Sequence, residues 1–367
     1  MIHEIKPACE AEFAWIIGLQ RDLLSGVCQE EINADTVTID WVKSLRPDID
    51  ADWVEKFCNR KDRLNGIKRP LIKHLQVIAD CDNDIKHRLQ SRFENNHNFK
   101  NAFDPAREQA HPLRPLNSIP DIDSVIDALR GFFTTFYDPS LYKQYGFPVT
   151  AGGTVVEFDR DLFLDEFYKK NRELGVCVLC DGDLGDADVD HFYSKKVYPE
   201  LSCHPANLVP ICKTCNQTRK GGKVPLDEHA GDPMRNWFHP YYRVAQGRFS
   251  VDFEEKGNKI YPVLKALDPV DQTRLDNLDE LIGLSSRWRR KLRQMVRATA
   301  KRFRHSNIED LQSQLLEAAD NIAAFDIKHR SGAVLYRGFC KKVGEGYKPL
   351  LDELRVEIGN LDPLTAT

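Results

Sequence analysis

Residues 176–225 read VCVLCDGDLGDADVDHFYSKKVYPELSCHPANLVPICKTCNQTRKGGKVP, and this stretch decides the fold around the candidate site. It carries two Cys-x-x-Cys pairs, Cys177/Cys180 and Cys212/Cys215, with residues 181–211 between them. Four thiolates at this spacing can close on one ion as a tetrahedron, which is how a structural zinc site is made. Such a site keeps no open coordination position, so Zn2+ is expected to hold the fold and not to catalyse. The alternatives are four unrelated thiols or a redox pair. The redox reading is the weaker, because neither pair opens a helix after a strand in a thioredoxin-like unit.

The remaining six of the ten cysteines, Cys9, Cys28, Cys58, Cys81, Cys203 and Cys340, are scattered singly and read as ordinary buried or half-buried thiols. A secreted disulfide scaffold is a poor reading at 367 residues without a signal peptide. The amino terminus has no basic segment followed by an apolar run, and nothing approaches the roughly 18 to 20 apolar residues of a membrane span. A cytoplasmic location is expected. A composition of 41% hydrophobic and 29% charged residues excludes large-scale disorder and allows two or three domains, each with its own core.

A formal net charge of −4 gives no general attraction to nucleic acid, so any binding must come from a local basic surface. Charge is segregated along the chain. Residues 1–40 hold eight acidic groups against Lys6 and Arg21, whereas residues 287–304 hold nine Lys or Arg and no acid.

Working outward from the cysteines, Phe13, Ile16, Ile17, Leu19, Leu23 and Leu24 recur at helical spacing, as do residues 53–58 and 70–79. Residues 95–120, with Pro105, Pro112, Pro115 and Pro120, read as a connector, 122–137 as a helix, and 139–153 as a Gly- and Pro-containing loop. A helix is expected over 159–173, ended by Gly175. Beyond the module, 248–253 and 259–264 alternate as short strands. Residues 272–282, 286–304 and 308–325 read as helices, the last opened by a capping box at Ser306 and Glu309. The fold class is α+β: a mainly helical region over 1–158, a small module over 159–245, and a helical region with a basic face over 246–367.

Between and beside the knuckles lie Asp188-Val189-Asp190-His191-Phe192, then Asn207-Leu208-Val209-Pro210, then Cys215-Asn216-Gln217-Thr218-Arg219-Lys220. Together these fragments resemble the HNH nuclease family, whose ββα-metal fold grips one divalent ion between a hairpin and a following helix. The resemblance covers about residues 174–225. The run from His191 through Pro199 to Asn207 resembles, more narrowly, HNH proteins of bacterial phage-defence and restriction systems, some of which act beside an ATPase partner.

The resemblance implies that His191 is the general base for the attacking water, a task suited to imidazole near working pH. Asp190 would bind the metal. On an extended strand these neighbours point to opposite faces, so they can approach a phosphate from different sides. Asp188 shares the face of Asp190, and two readings of it stand equal: help to the metal, or a solvated carboxylate. Asn207 would brace the loop and orient the base, and read alone it is a turn asparagine. Asn216 would complete the metal site where many relatives carry histidine. This oxygen-donor version favours Mg2+ or Mn2+.

Arg219, Lys220 and Lys223 are expected to hold substrate phosphates beside the helix. Lys195 and Lys196 read more simply as a solvated pair, and His204 and His239 as structural residues. In the basic helix, Leu284, Trp288, Leu292, Met295, Val296, Thr299 and Phe303 form an apolar stripe. That leaves Arg287, Arg289, Arg290, Lys291, Arg293, Arg297, Lys301, Arg302 and Arg304 on the other side, and Arg289, Arg290 and Arg293 are candidate DNA-backbone contacts. The acidic amino terminus would then be positioned to mask this surface.

The leading expectation is a metal-dependent endonuclease acting on DNA through His191, Asp190, Asn207 and Asn216. RNA remains an alternative substrate, because the motif reads the phosphate and not the sugar. The competing class is a non-catalytic zinc-binding module that recognises nucleic acid or a protein. His191 separates the two, since a binding module has no need of a base beside a metal-binding aspartate.

Overall fold

The apolar positions near the amino terminus fall on one helical face. A computed structural model describes residues 2–61, 69–104, 113–142, 146–151, 154–227, 233–257, 259–322 and 324–361. Helix α1 (Glu10–Val27) buries Phe13, Ile16, Leu19, Leu23, Leu24 and Val27. Helix α2 (Ile39–Leu45) starts at Thr38, whose hydroxyl accepts from the Trp41 amide at 3.1 Å. Helix α3 (Ala51–Cys58) starts at Asp50, which accepts from the Trp53 amide at 2.8 Å. Each cap satisfies an amide that the first turn leaves unbonded. Helices α4 (Leu71–Ala79), α5 (Asn83–His97) and α6 (Ile126–Thr135) complete this part of the chain.

Several expected boundaries move. The helix expected over 122–137 begins at Ile126, after a short tight turn at Ile122–Ser124. The connector expected over 95–120 is helical in part: α5 runs to His97 and a tight helical turn covers Phe99–Phe103. Pro105 and Pro112 lie outside the described residues. The loop expected over 139–153 contains a strand. β1 (Phe147–Ala151) pairs antiparallel with β2 (Thr154–Phe158), Phe147 opposite Phe158. Phe147, Val149 and Phe158 are fully buried, and Phe147 lies among Trp15, Trp53, Phe57 and Phe136, so this hairpin plugs the helical region. Pro148 costs little there, since both strands of a two-stranded sheet are edges.

Helix α7 (Arg160–Lys170), capped by Asp159, leads into the cysteine-rich module. The module's strands β3 (Asp188–His191) and β4 (Leu208–Ile211) pair antiparallel, and a wide-turned helical segment, Thr214–Lys220, follows. After it, β5 (Phe249–Glu255) and β6 (Ile260–Ala266) form the third two-stranded sheet.

The remainder is helical: α8 (Pro269–Ile282), α9 (Leu284–Arg302), α10 (Ile308–Asn321), α11 (Ala324–His329), α12 (Ala333–Gly344) and α13 (Lys348–Leu361). Helix α9 buries Leu284, Trp288, Leu292, Val296, Thr299 and Ala300, so the expected apolar stripe is the packed face. The expected capping box is replaced. Asn307 caps α10, accepting from the Asp310 amide at 2.8 Å, and the helix stops at Asn321 instead of continuing to residue 325. Helix α12 crosses β5 so closely that a Cβ at Gly338 would meet the Val251 Cβ at 2.7 Å. The architecture is therefore α+β and mostly helical. Among the described residues no helix is long and apolar enough to cross a membrane.

Distant segments converge on the module. The Ile2 amide donates to the Val178 carbonyl at 2.9 Å, and His3 Nε2 lies 2.9 Å from Asp181 Oδ1 with both side chains fully buried. From α5, Arg92 forms a buried 2.8 Å ion pair with Glu200, to which Asn96 also donates. A buried ion pair contributes little net stability, but it fixes which segments meet. Here it anchors the loop between β3 and β4 to the amino-terminal helices.

Candidate metal centre and catalytic site

Cys177 and Cys180 occupy a turn in which the Cys177 amide donates to the Gly182 carbonyl at 2.8 Å and Asp181 takes a left-handed backbone (φ 57°). Cys212 follows β4 and Cys215 lies in the helical segment. The four sulfurs are buried within 4.8 Å of one another, with Cys180 Sγ 3.9 Å from Cys212 Sγ. A zinc tetrahedron with bonds of about 2.3 Å sets its sulfurs roughly 3.8 Å apart, so the cluster has the dimensions of such a site. Burial pushes the Cys177 thiol well up, whereas hydrogen bonds from the other three thiols hold Cys212 below the ordinary range. A cation resolves this conflict by allowing all four to ionise. The scattered thiols behave differently: burial pushes Cys28, Cys58 and Cys203 up to about 12, the state of inert protonated thiols.

β3 places Asp188 and Asp190 on one face and His191 on the other, with Asp190 opposite Val209 and His191 opposite Leu208. Asn207, just before β4, is fully buried and fully engaged. Its Oδ1 accepts from the Tyr193 amide at 2.6 Å, while Nδ2 donates to the Tyr193 and Leu201 carbonyls, each at 3.0 Å. It braces both ends of the loop that follows the histidine.

His191 Nε2 lies 3.0 Å from the Ser202 carbonyl oxygen. A carbonyl only accepts, so Nε2 carries the proton and Nδ1 is the basic nitrogen. The ring meets Tyr137 edge-on at 4.3 Å, and Lys195 Nζ sits 4.4 Å above that same Tyr137 ring. Burial, then the charges of Lys195 and Lys220, hold the imidazole well below its ordinary range. The histidine is neutral at neutral pH, the form a general base requires.

The two carboxylates of β3 divide between two sets of partners. Asn216 Nδ2 donates to Asp188 Oδ2 at 3.1 Å, and Gln217 Nε2 donates to the same oxygen at 2.7 Å. Asp190 instead faces Lys220, whose ammonium lies 3.1 and 3.0 Å from its two oxygens and donates to the His191 carbonyl at 2.8 Å. Asp190 and Asn216, the two expected metal ligands, thus each hydrogen-bond to a different residue. Two strand residues advance about 6.6 Å and one helical turn about 5.4 Å, so Asn216 comes beside Asp188 and Lys220 beside Asp190. Burial, opposed by Lys220, raises Asp190 to about 6.

The basic residues divide in the same way. Lys220, expected on substrate phosphate, is buried inside the module; Lys223 is exposed, and half-buried Arg219 approaches Gly283. On α9, Arg290 and Arg293 are exposed, and Arg289 lies 4.5 Å over the Tyr261 ring. The expected sign segregation holds along the helix but not across the surface. Arg293 and Arg297 line a groove of about 600 Å3 with Glu255, Glu353 and Glu357, and Arg297 pairs with Glu357 at 3.5 Å. Two expected surface cations are engaged within the chain: Lys291 donates to the exposed Ser331 at 2.9 Å, and Arg287 turns inward to the cysteines. His204 and His239 pack against Phe99 at 4.9 and 5.7 Å and serve the core. Tyr137 at the site and Arg287 at the thiols carry no local sequence signal that sets them apart from their neighbours, whereas Lys220, expected at the site, is found there on Asp190.

No family model matches the chain, and no solved structure matches its fold. Among curated proteins, "Protein ea31" of Escherichia phage lambda is 41% identical over 66 residues. That similarity spans 18% of this chain and 20% of the phage protein.

Proposed function

We propose that this chain hydrolyses phosphodiester bonds in DNA with a divalent metal, in the manner of the HNH nucleases that residues 174–225 resemble. The observation that carries the reading is the state of His191. It is a neutral imidazole with Nε2–H fixed on the Ser202 carbonyl, next to a carboxylate and on a hairpin braced by Asn207. A purely structural histidine has no need of an adjacent buried aspartate that faces the other way.

Asp190, Asn216 and Asp188 offer oxygen donors of the kind that hold Mg2+ or Mn2+. The ion would supply neutralisation of charge developing on the phosphate and the leaving oxygen. The chain's own residues do the remaining work. His191 Nδ1 takes the proton from the attacking water, the Ser202 carbonyl keeps the ring oriented, and Asn207 holds the loop that carries that carbonyl within reach. Arg219 and Lys223 bind flanking phosphates without reading sequence. The four cysteines staple the hairpin to the helical segment, so zinc is structural in this scheme.

Two observations favour the second reading, a zinc-stapled recognition module: Lys220 already neutralises Asp190, and Tyr137 covers His191. Incubation of supercoiled plasmid with Mg2+, Mn2+ or chelator distinguishes the two. Metal-dependent nicked or linear product supports the hydrolase, whereas retarded but intact plasmid supports recognition alone.

A further inference from the structure

The turn that carries the first cysteine pair is held by three remote segments. Besides Ile2 and His3, the Gly332 amide donates to the Asp181 carbonyl at 2.7 Å and the Val334 amide to Asp181 Oδ2 at 3.2 Å, which brings in the start of α12. The third segment is α9. Trp288 Nε1 donates to the Cys180 carbonyl at 3.2 Å, and Arg287 reaches the sulfurs themselves. Its Nη1 lies 3.0 Å from Cys215 Sγ and its Nη2 3.1 Å from Cys180 Sγ, one sulfur from each Cys-x-x-Cys pair. Gly182 leaves room around one of these sulfurs, because a Cβ there would stand 3.2 Å from Cys180 Sγ.

A divalent ion with four thiolates carries two net negative charges, a costly load in a buried site unless something opposes it. Among the described residues no carboxylate forms an ion pair with Arg287, so its positive charge is directed at the sulfurs. The planar fork of guanidinium can serve two acceptors at once, which a lysine ammonium does with less geometric control.

We propose that Arg287 is the counter-charge of the metal–tetrathiolate centre, and that through it a bound metal fastens helix α9 to the cysteine-bearing turn. The arginine is a positioning residue. It ties the carboxy-terminal helices to metal occupancy, and it slows metal loss by withdrawing charge from two of the four sulfurs. This inference stands on the cysteine cluster alone and does not depend on phosphodiester cleavage.

The test uses the full chain loaded with zinc and follows transfer of the metal to a chromogenic chelator, together with hydrogen exchange across 284–302. Partners outside the ligand sphere typically change metal affinity about 10- to 100-fold. Arg287→Ala should therefore release zinc faster by about that factor, with Arg287→Lys between it and wild type and Arg290→Ala unchanged. Exchange over α9 should rise on metal removal in wild type. Leu292→Ala loosens the packing of α9 without touching the sulfurs, so zinc loss from it as fast as from Arg287→Ala would overturn the proposal. Wild-type release from Arg287→Ala would overturn it equally. If the alanine variant does not fold, Arg287→Lys decides: faster release supports the forked contact, and an unchanged rate refutes it.

Discussion

Lys220 holds its ammonium 3.1 and 3.0 Å from the two carboxylate oxygens of Asp190, and both side chains are buried. Removing one partner of a buried pair strands the other charge and costs about 3–5 kcal/mol. Lys220→Met should therefore lower the melting temperature, and Mg2+ or Mn2+ should restore more of it than they add to wild type, because a divalent ion replaces the lost cation. Thermal unfolding with and without the ion measures this. A variant as stable as wild type in chelator would contradict the pairing.

Asn207 closes the loop between β3 and β4 with three side-chain hydrogen bonds. Asn207→Ala leaves buried backbone groups unsatisfied, each worth about 1–3 kcal/mol. Denaturant unfolding should report a loss of about 3 kcal/mol. Asn207→Asp keeps the acceptor and loses both donor bonds, so it should remain substantially destabilised; a near-neutral aspartate variant would mean that the Nδ2 contacts do not matter.

Tyr137 covers the edge of His191. Burial is the main cause of the depressed imidazole pKa, so Tyr137→Ala should admit water and move the His191 titration upward. NMR of labelled histidine reads this directly. No movement would show that other elements account for the burial.

His97 and His204 are half-buried and neutral, loss of solvent around the rings lowering them to about 4 and about 3 from an ordinary 6.5. The unfolded chain protonates these rings first as pH falls, so stability is fully present above about pH 6.5 and is lost down to about pH 4 for His97, and further for His204. The full effect for His97 is about 3 kcal/mol. His97→Gln should flatten the decline of melting temperature across this window, and an unchanged slope would rule out its role.

The legible parts of this chain were those set by short-range spacing. Two Cys-x-x-Cys pairs fixed the sulfur cluster, alternation placed Asp190 and His191 on opposite faces of β3, and the apolar stripe of α9 became its buried face. What could not be read depends on contacts between remote segments. Arg287 is one of nine basic residues in its run, and only the docking of α9 on the cysteine turn singles it out. Lys220 looked like a phosphate ligand until the register of helix against strand put it beside Asp190. β1 was hidden by Pro148 and by the glycines at 152 and 153, which read as a loop because an edge strand tolerates what a central strand does not.

The central claim is that His191 is the base in phosphodiester hydrolysis. Its most direct test is cleavage of supercoiled plasmid by zinc-loaded wild type and His191→Ala side by side in Mg2+ or Mn2+. The account predicts nicked or linear product from wild type only, with DNA binding and melting temperature retained in the variant. Equal cutting by both proteins, or none by a folded, zinc-loaded wild type, would contradict it.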